Sequence, residues 1–308
     1  MSKPTYQQVH IDVALTNISI AYAPGTFIAG QVFPTVPVGK ISNRYFIYTK
    51  ADWLRREADV RAPGTRAARG DYGLTTGQYV CVERAIAKGV PDEIADNADS
   101  PLNPDADATR WVTNQLMLEK ENDVAALAFG NSVWSASATP SVLWSNDTSD
   151  PLGDVETAVN SVVSNIGQEA NTGVIGRGLW RYVKNHPDIV DRIKGAAGPQ
   201  SPAVVGLNAV AALFGIDRIL VGTAIADSAQ EGATSSLAYI WGNHFLVAYV
   251  TGSPSLLNPS AGYVFTYGAR SIETFRENQE KQNVVTGFES WDTAATATDA
   301  GYLIKSAA

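Results

Sequence analysis

A long hairpin that cannot bury its own side chains is the feature that most limits what this chain can form. Alternating apolar and polar residues predict strands in NRYFIYT, residues 43–49, and in QYVCVERAIAKGV, residues 78–90. Residues 60–77 between them are rich in turn formers and predict a wide tip. Because an isolated two-stranded ribbon is only marginally stable in water, we expect the hairpin to lie on another surface.

The rest of the chain predicts a mixture of helices and strands. Residues 105–129 form a candidate long helix with aspartates at its start, and the run EKEND in its middle is polar all round. An amphipathic helix from residue 154 is followed by short helices and strands to about residue 250. GYVFTYGARSIETF and NVVTGFES then predict two long strands. The first 35 or so residues predict either a strand pair or an arm that docks on a neighbour.

The composition of the chain and the absence of a visible targeting signal predict a folded, cytoplasmic protein. The 308 residues are 45% hydrophobic, which is enough for a core, and the net charge is −8. An acidic chain is a poor candidate for binding nucleic acid with its whole surface. The one cysteine, Cys81, excludes an intramolecular disulfide and a cysteine-based zinc site. No signal peptide or membrane-length apolar run is visible, so we expect a soluble protein in a reducing cytoplasm.

The sequence carries no motif of a common catalytic site. GxSxG, HExxH and the phosphate-binding GxxxxGK[ST] are absent, and GVIGRG at 173–178 lacks the order of a dinucleotide loop. The histidines, His10, His186 and His244, are scattered, and packing or capping roles are favoured over catalysis or metal binding. We therefore predict no enzyme, no metal and no cofactor. A hydrolase with an unrecognised site is the competing hypothesis.

Charge is distributed in blocks. Residues 40–70 hold eight bases against three acids, residues 92–107 hold six acids and no base, and residues 199–269 hold three acids and one base. The basic block could bind nucleic acid and the acidic block a hard cation. The aromatic residues of the basic block lie on predicted strands, and the spacing of the acids matches no known cation-binding loop. Protein contacts or solvated faces are therefore favoured over nucleic-acid and cation binding. These blocks, the hairpin and the arm predict a subunit built to assemble.

Several segments in order resemble a known family. They are RYFIYTKADWLRREADVRAPGTRA, YVCVERAIAKGVPDEIADNAD, LWRYVKNHPDIVDRIKG, ALFGIDRILVGTAIADSA and YIWGNHFLVAYV. The set resembles the major capsid proteins of tailed bacteriophages, with the Hong Kong 97-type fold, from about residue 28 to 268. The resemblance implies an α+β fold with an N-terminal arm (1–36), an extended hairpin loop (37–80), a peripheral domain (81–153 and 251–308) with a spine helix (105–129), and an α/β axial domain (154–250).

The resemblance also implies a function. A major capsid, or head, protein self-assembles into pentamers and hexamers that form the icosahedral shell around the phage genome. The implied partners are further copies, a portal protein and the enclosed double-stranded DNA, held without strong specific binding; a decoration protein is left open and a membrane is not expected. Arm-like sequence follows Met1 almost at once, so we expect a separate scaffolding protein. The expected location is the virion, after assembly in the host cytoplasm. The alternative is the shell of an encapsulin-like nanocompartment with the same fold.

The two charge blocks predict where neighbouring subunits meet. Arginine forms bidentate pairs with carboxylates and suits interfaces better than lysine does. We therefore expect the arginines of the loop to face acids of the adjacent subunit; the alternative is that they only keep an exposed loop soluble. The candidate contact residues are Arg55, Arg56, Arg61, Arg66, Arg69, Asp92, Glu93, Asp96 and Asp99.

Overall fold

The computed structural model describes most of the chain after residue 25. The described residues are 26–48, 50–98, 102–197, 205–230, 232–254 and 259–308. Most of the predicted N-terminal arm, 1–36, and the candidate contact residue Asp99 therefore lie outside the described residues. The described part begins with a short helix, α1 (Ala29–Val32), and a short strand, β1 (Thr35–Val38).

The first part of the predicted hairpin is a two-stranded antiparallel ribbon. Strand β2 (Ser42–Tyr48) pairs with β3 (Leu74–Val80), with Ser42 opposite Val80 and Tyr48 opposite Leu74. Helix α2 (Lys50–Leu54) follows β2, and residues 55–73 contain neither helix nor strand. The predicted wide tip is thus present, and we call residues 42–80 the ribbon.

The second strand of the hairpin ends earlier than the alternation of 78–90 predicts. Cys81 separates β3 from β4 (Val82–Pro91), which pairs with a different sheet. Tyr79 and Cys81 are buried, whereas Val90 is buried in β4, so the inward-facing positions change from odd to even numbers. The prediction of one continuous strand is wrong because the chain changes partner at Cys81, where no turn former marks the break.

The first sheet has four strands and carries the long C-terminal hairpin. Strands β11 (Tyr263–Glu277) and β12 (Gln282–Ala294) pair antiparallel, which confirms the two predicted long strands. The order is β1-β11-β12-β4, with β1 parallel to β11 and β4 antiparallel to β12. A short helix, α3 (Asp92–Asp96), follows β4.

One long helix, α4 (Pro104–Ala128), packs across this sheet and confirms the predicted spine helix to within one residue at each end. The Asn103 side chain accepts a hydrogen bond from Ala106 N at 3.1 Å, and Pro104 occupies the first turn, so the helix start is capped. On β12, a Cβ at Gly287 would lie 2.5 Å from Val112 Cγ1. Glycine there lets the helix approach the sheet closely.

The second sheet forms the centre of an α/β layer. Its five strands are β5 (Ala136–Ala138), β6 (Thr172–Gly176), β7 (Arg218–Gly222), β10 (Phe245–Ala248) and β13 (Gly301–Ile304), in the order β5-β13-β10-β6-β7. Its helices are α5 (Pro151–Ile166), α6 (Arg177–Val183), α7 (Pro187–Ala197) and α8 (Leu207–Leu213). Strands β6 and β10 are buried along their whole length, as central strands with both faces covered should be.

The two strands predicted within LAYIWGNHFLVAYV are present but belong to different sheets. The first, β9 (Leu237–Tyr239), pairs with β8 (Ile225–Asp227) in a small exposed ribbon, and the second is β10. Trp241 lies between them with no exposed surface, and a Cβ at Gly222 would meet its ring at 2.1 Å. The chain therefore crosses from the small ribbon into the core at this tryptophan.

Candidate intersubunit surfaces

The ribbon exposes a large amount of apolar surface. Its most exposed large apolar side chains, by relative exposure, are Phe46 (59%), Leu54 (65%), Val60 (103%), Tyr72 (59%), Leu74 (48%) and Val80 (48%). Apolar side chains exposed together on one element are typical of an interaction surface. Tyr72 contacts Tyr48, with ring centroids 5.8 Å apart, and the other side chains of this set are largely exposed among the described residues.

The root of the ribbon, in contrast, is held firmly on its own subunit. Tyr79 stacks on Phe265 of β11 with ring centroids 4.6 Å apart, and Tyr45 stacks on the same ring at 5.9 Å. Val80 N donates to Asp292 Oδ2 at 2.9 Å. Burial, followed by the charge of Asp292, raises the pKa of the Cys81 thiol, so this cysteine is a packing residue.

Lys50 in α2 forms a second attachment of the ribbon to the rest of its own subunit. Its Nζ lies 3.2 Å from both Asn165 Oδ1 at the end of α5 and Asp299 Oδ2 before β13. A hydrogen bond from Ser135, and then Lys50, lowers the pKa of Asp299. The first turn after β2 is thus tied to the α/β layer.

The five candidate arginines all lie exposed between α2 and β3. Arg55 is the one that pairs with acids of its own loop, with Nη1 3.5 Å from Glu57 and Nη2 4.0 Å from Asp52. Arg61 donates to the backbone oxygen of Thr65 at 2.9 Å. Arg56, Arg66 and Arg69 form no ion pair with any described carboxylate.

The candidate acids that are described lie on α3. Asp92 forms a bidentate pair with Arg276 of β11, and this hydrogen bonding lowers the pKa of Asp92. Glu93 and Asp96 are exposed. No ion pair between described residues joins the basic block to the acidic block within one chain. Both blocks therefore keep charges that have no oppositely charged partner among the described residues, whereas Arg55 and Asp92 are already paired.

Sequence reasoning missed a buried carboxylate that fixes the N-terminal segment. Glu121 of α4 has no exposed surface, and its carboxylate accepts from Ile28 N at 3.0 Å, Ala29 N at 2.8 Å and Trp241 Nε1 at 2.6 Å. Burial raises its pKa, although each of these hydrogen bonds acts in the opposite direction. The carboxylate thus joins the start of α1, the spine helix and the segment before β10.

Two further residues of the EKEND run attach α4 to the first sheet. Asp123 accepts from Arg84 Nη2 at 2.6 Å and from Trp291 Nε1 at 2.9 Å, and the Arg84 guanidinium lies 4.2 Å from the centre of the Trp291 ring. Lys120 pairs with Glu289. The polar run that interrupts the apolar stripe is the signal that could have identified this network, because all its charges except Glu119 have partners in the structure.

The two described histidines are packed within the fold. His186 is 2% exposed, and its Nε2 lies 3.0 Å from Ser149 Oγ. His244 Nδ1 accepts from Ser306 N at 2.9 Å, and burial followed by the charge of Lys305 lowers its pKa. His10 lies outside the described residues. Over the described ranges, no three acidic, histidine or cysteine side chains are grouped as metal ligands would be. No helix in that part of the chain is long and apolar enough to cross a membrane.

Comparison with known proteins places the fold. No protein-family model matches the sequence. The chain is 29% identical to the major capsid protein of Pseudomonas phage JBD67, over 78% of this chain and 77% of the relative. It is 26% identical to the major capsid protein of Burkholderia phage BcepMu, over 96% of both chains.

Two solved structures are similar to this chain along nearly its whole length. A phage-related protein from Bordetella bronchiseptica RB50 is similar with a TM-score of 0.68 and 25% identity, over 92% of both chains. The capsid protein of cyanophage P-SCSP1u is similar with a TM-score of 0.63 and 12% identity, over 93% of this chain and 90% of the other. These comparisons confirm the resemblance predicted from the sequence: the chain has the α+β fold of the major capsid proteins of tailed bacteriophages, of the Hong Kong 97 type.

Proposed function

We propose that this chain is the major capsid protein of a tailed phage, the structural subunit that self-assembles into pentamers and hexamers of an icosahedral head around the genome. The observation that carries the proposal is the match over 96% of the chain to a protein named as a major capsid protein. The exposed ribbon is consistent with it, because its apolar side chains would be covered in a shell. The encapsulin-like alternative is not favoured, since both curated relatives are phage proteins.

The direct test is the size and shape of the particles that the chain forms. Purified protein, expressed with the neighbouring genes of its phage, should give closed shells with fivefold and sixfold capsomers in negative-stain electron microscopy. Only compact monomers or irregular aggregates at high protein concentration would contradict the proposal. Closed shells that copurify with a stoichiometric enzyme and no phage gene product would favour the nanocompartment instead.

The ribbon arginines and the acids of α3 form the proposed intersubunit contact. Arg56, Arg66 and Arg69 lack acidic partners among the described residues, and Glu93 and Asp96 are exposed. Exposed ion pairs contribute only about 0.2–1 kcal/mol each, so their value lies in selecting one docking register. Arg55 and Asp92 would contribute less, because each already has an acidic or basic partner in its own chain.

The remaining partners follow from the family likeness. A separate scaffolding protein and a portal protein are the proposed partners, and assembly is proposed to occur in the host cytoplasm. The proposal does not include a decoration protein. The division into an arm (1–36), an extended loop (37–80), a peripheral domain and an axial domain (154–250) is proposed on the same basis. Strands β5 and β13 lie outside 154–250 and complete the central sheet, so the two proposed domains would share one sheet.

A further inference from the structure

Some basic side chains of the described residues have an acidic partner, and most of the others lie in two groups. Seven pair with carboxylates: Lys50, Arg55, Arg84, Arg110, Lys120, Arg270 and Arg276. Of the bases without such a partner, one group lies on the ribbon and its approaches. The other lies on α6 and α7, where residues 177–194 hold five bases against two acids. This second group has no part in the contacts described so far.

Three of these bases form a stripe along α6. Arg177 and Arg181 are four residues apart, and Lys184, at the C-cap with helical backbone angles, follows three residues later. Side chains at these spacings share one face of a helix, with neighbouring Cβ atoms about 5–6 Å apart. Arg177 and Arg181 are exposed and Lys184 is half-buried, whereas Leu179 and Val183 on the opposite side are buried, as is Trp180 beside the stripe.

The next helix also carries basic side chains. Arg192 and Lys194 of α7 are also exposed and have no carboxylate within ion-pair distance among the described residues. Arg181 lies on the ring of Tyr182, 4.5 Å from its centre, and donates to the Tyr182 hydroxyl, which limits the motion of its guanidinium. The acids of α7, Asp188 and Asp191, are both exposed, and Asp188 Oδ2 also lies 4.0 Å from His186 Nδ1.

The chemistry of this surface matches a polyanion better than a protein. Protein interfaces are centred on large apolar or aromatic anchors. No large apolar side chain is exposed among the described side chains of α6 and α7, in contrast to the ribbon. Interfaces with nucleic acid are polar and strongly positive, and arginine and lysine there contact phosphates without reading sequence. Three cations along one helix face suit the phosphates of a nucleic-acid backbone.

We propose that the α6 stripe of Arg177, Arg181 and Lys184 is a contact site for the phosphate backbone of duplex DNA, without sequence preference. The contact is weak for one chain, because it neutralises only about three phosphates. A closed shell repeats the stripe many times over the same DNA, so weak contacts act together. The choice of DNA as the partner rests on the proposed function. The test does not depend on that function, because it uses unassembled protein.

The test is the salt dependence of binding to a fluorescent 20-base-pair duplex of arbitrary sequence, measured by anisotropy between about 50 and 200 mM salt. Each neutralised phosphate contributes about −0.9 to the slope of log affinity against log salt. The variant R177Q/R181Q/K184Q should therefore reduce the magnitude of the slope by about 2.7. The charge-preserving variant R177K/R181K should keep the wild-type slope, and circular dichroism should show both variants folded.

The loop variant R56Q/R66Q/R69Q is the charge-matched control. Loss of slope in the stripe variant, with the wild-type slope kept by the loop variant, supports the proposal, and equal losses in both variants overturn it. A stripe variant with the wild-type slope overturns it, and so does the absence of any binding by the wild-type protein at 50 mM salt. A stripe variant that binds DNA normally but fails to form shells would assign the stripe to an acidic protein segment instead. In every case, shells formed by the wild-type protein test the proposed function separately.

Discussion

At the scale of single residues, the burial of Glu121 is the feature that its neighbours in the sequence do not explain. A charge inside an apolar stripe is costly to bury unless hydrogen bonds satisfy it. The donors are two backbone N–H groups from the start of α1 and the indole of Trp241, which are far away in the chain. The sequence shows the polar run EKEND but not these donors, so the network could be suspected and not located.

Removal of the Glu121 carboxylate should therefore destabilise the subunit strongly. Glu121→Ala leaves three buried donors without an acceptor, and the expected loss of unfolding free energy is about 2–5 kcal/mol. Glu121→Gln keeps one acceptor oxygen and should lose less. Urea unfolding of the unassembled protein measures both. Glu119→Ala, an exposed glutamate two residues away, is the matched control and should change stability by less than about 0.5 kcal/mol. Equal losses at both positions would contradict this role.

Asp299 should make the attachment of Lys50 sensitive to acid. Its pKa is lowered in the folded chain by Ser135 and Lys50, so its stabilising contribution is present above the unfolded pKa of about 3.9 and is lost as the pH falls through the lower folded pKa. Glu121 acts oppositely, because its raised pKa favours the protonated folded state. Asp299→Asn should lower the melting temperature at pH 7 and flatten its decline below pH 4.

Calorimetry across pH 2–7 would measure that decline. Asp59→Asn, an equal change of charge on the exposed loop, is the matched control. If Asp299→Asn and Asp59→Asn gave the same profile as the wild-type protein, the attachment of Lys50 to Asp299 would not contribute to stability.

At the scale of elements, the long helix and the long strands were predicted, and their burial was predicted less well. The spine helix was predicted from its aspartate-rich start and its length, and its buried residues recur at helical spacing from Ala108 to Ala128. Strand β11 was predicted as a long strand, but it is buried only over its first four residues. The break at Cys81 was missed, because an alternating pattern continues while the chain passes from β3 to β4. Pairing partners depend on residues far away in the sequence, such as Trp291 opposite Val82, and no local pattern encodes them.

The ribbon is the element whose charges should control assembly. Arg66→Glu with Arg69→Glu places acids opposite the proposed acids of α3, so shell formation should fail while circular dichroism stays that of the wild-type protein. Glu93→Lys with Asp96→Lys in the same chain restores opposite charges and should recover part of the shell yield. Light scattering measures the yield. Arg110→Glu, on the exposed start of α4, is a control for the change in charge.

Two outcomes would contradict the contact. Normal shells from the Arg66→Glu and Arg69→Glu variant would show that the arginines only keep the loop soluble. Failure of the compensating changes to recover any shells would place the arginines against another surface.

At the scale of the whole molecule, the order of segments was sufficient to predict the fold, and local patterns were not sufficient to predict how the sheets close. The central sheet takes β5 from before α5 and β13 from the C-terminal end of the chain, on the same side of β10. Short strands of three and four residues carry little periodicity, so their place in the sheet depends on burial created by the rest of the fold.

The central claim is that a ribbon left uncovered by its own chain is covered by a neighbouring copy in a closed shell. Cryo-electron microscopy of assembled shells tests it most directly. The account predicts that Phe46 and Leu54 of each ribbon are buried against the adjacent subunit, with Arg66 and Arg69 near its acids. Closed shells in which the ribbon contacts only its own subunit, or only solvent, would contradict it.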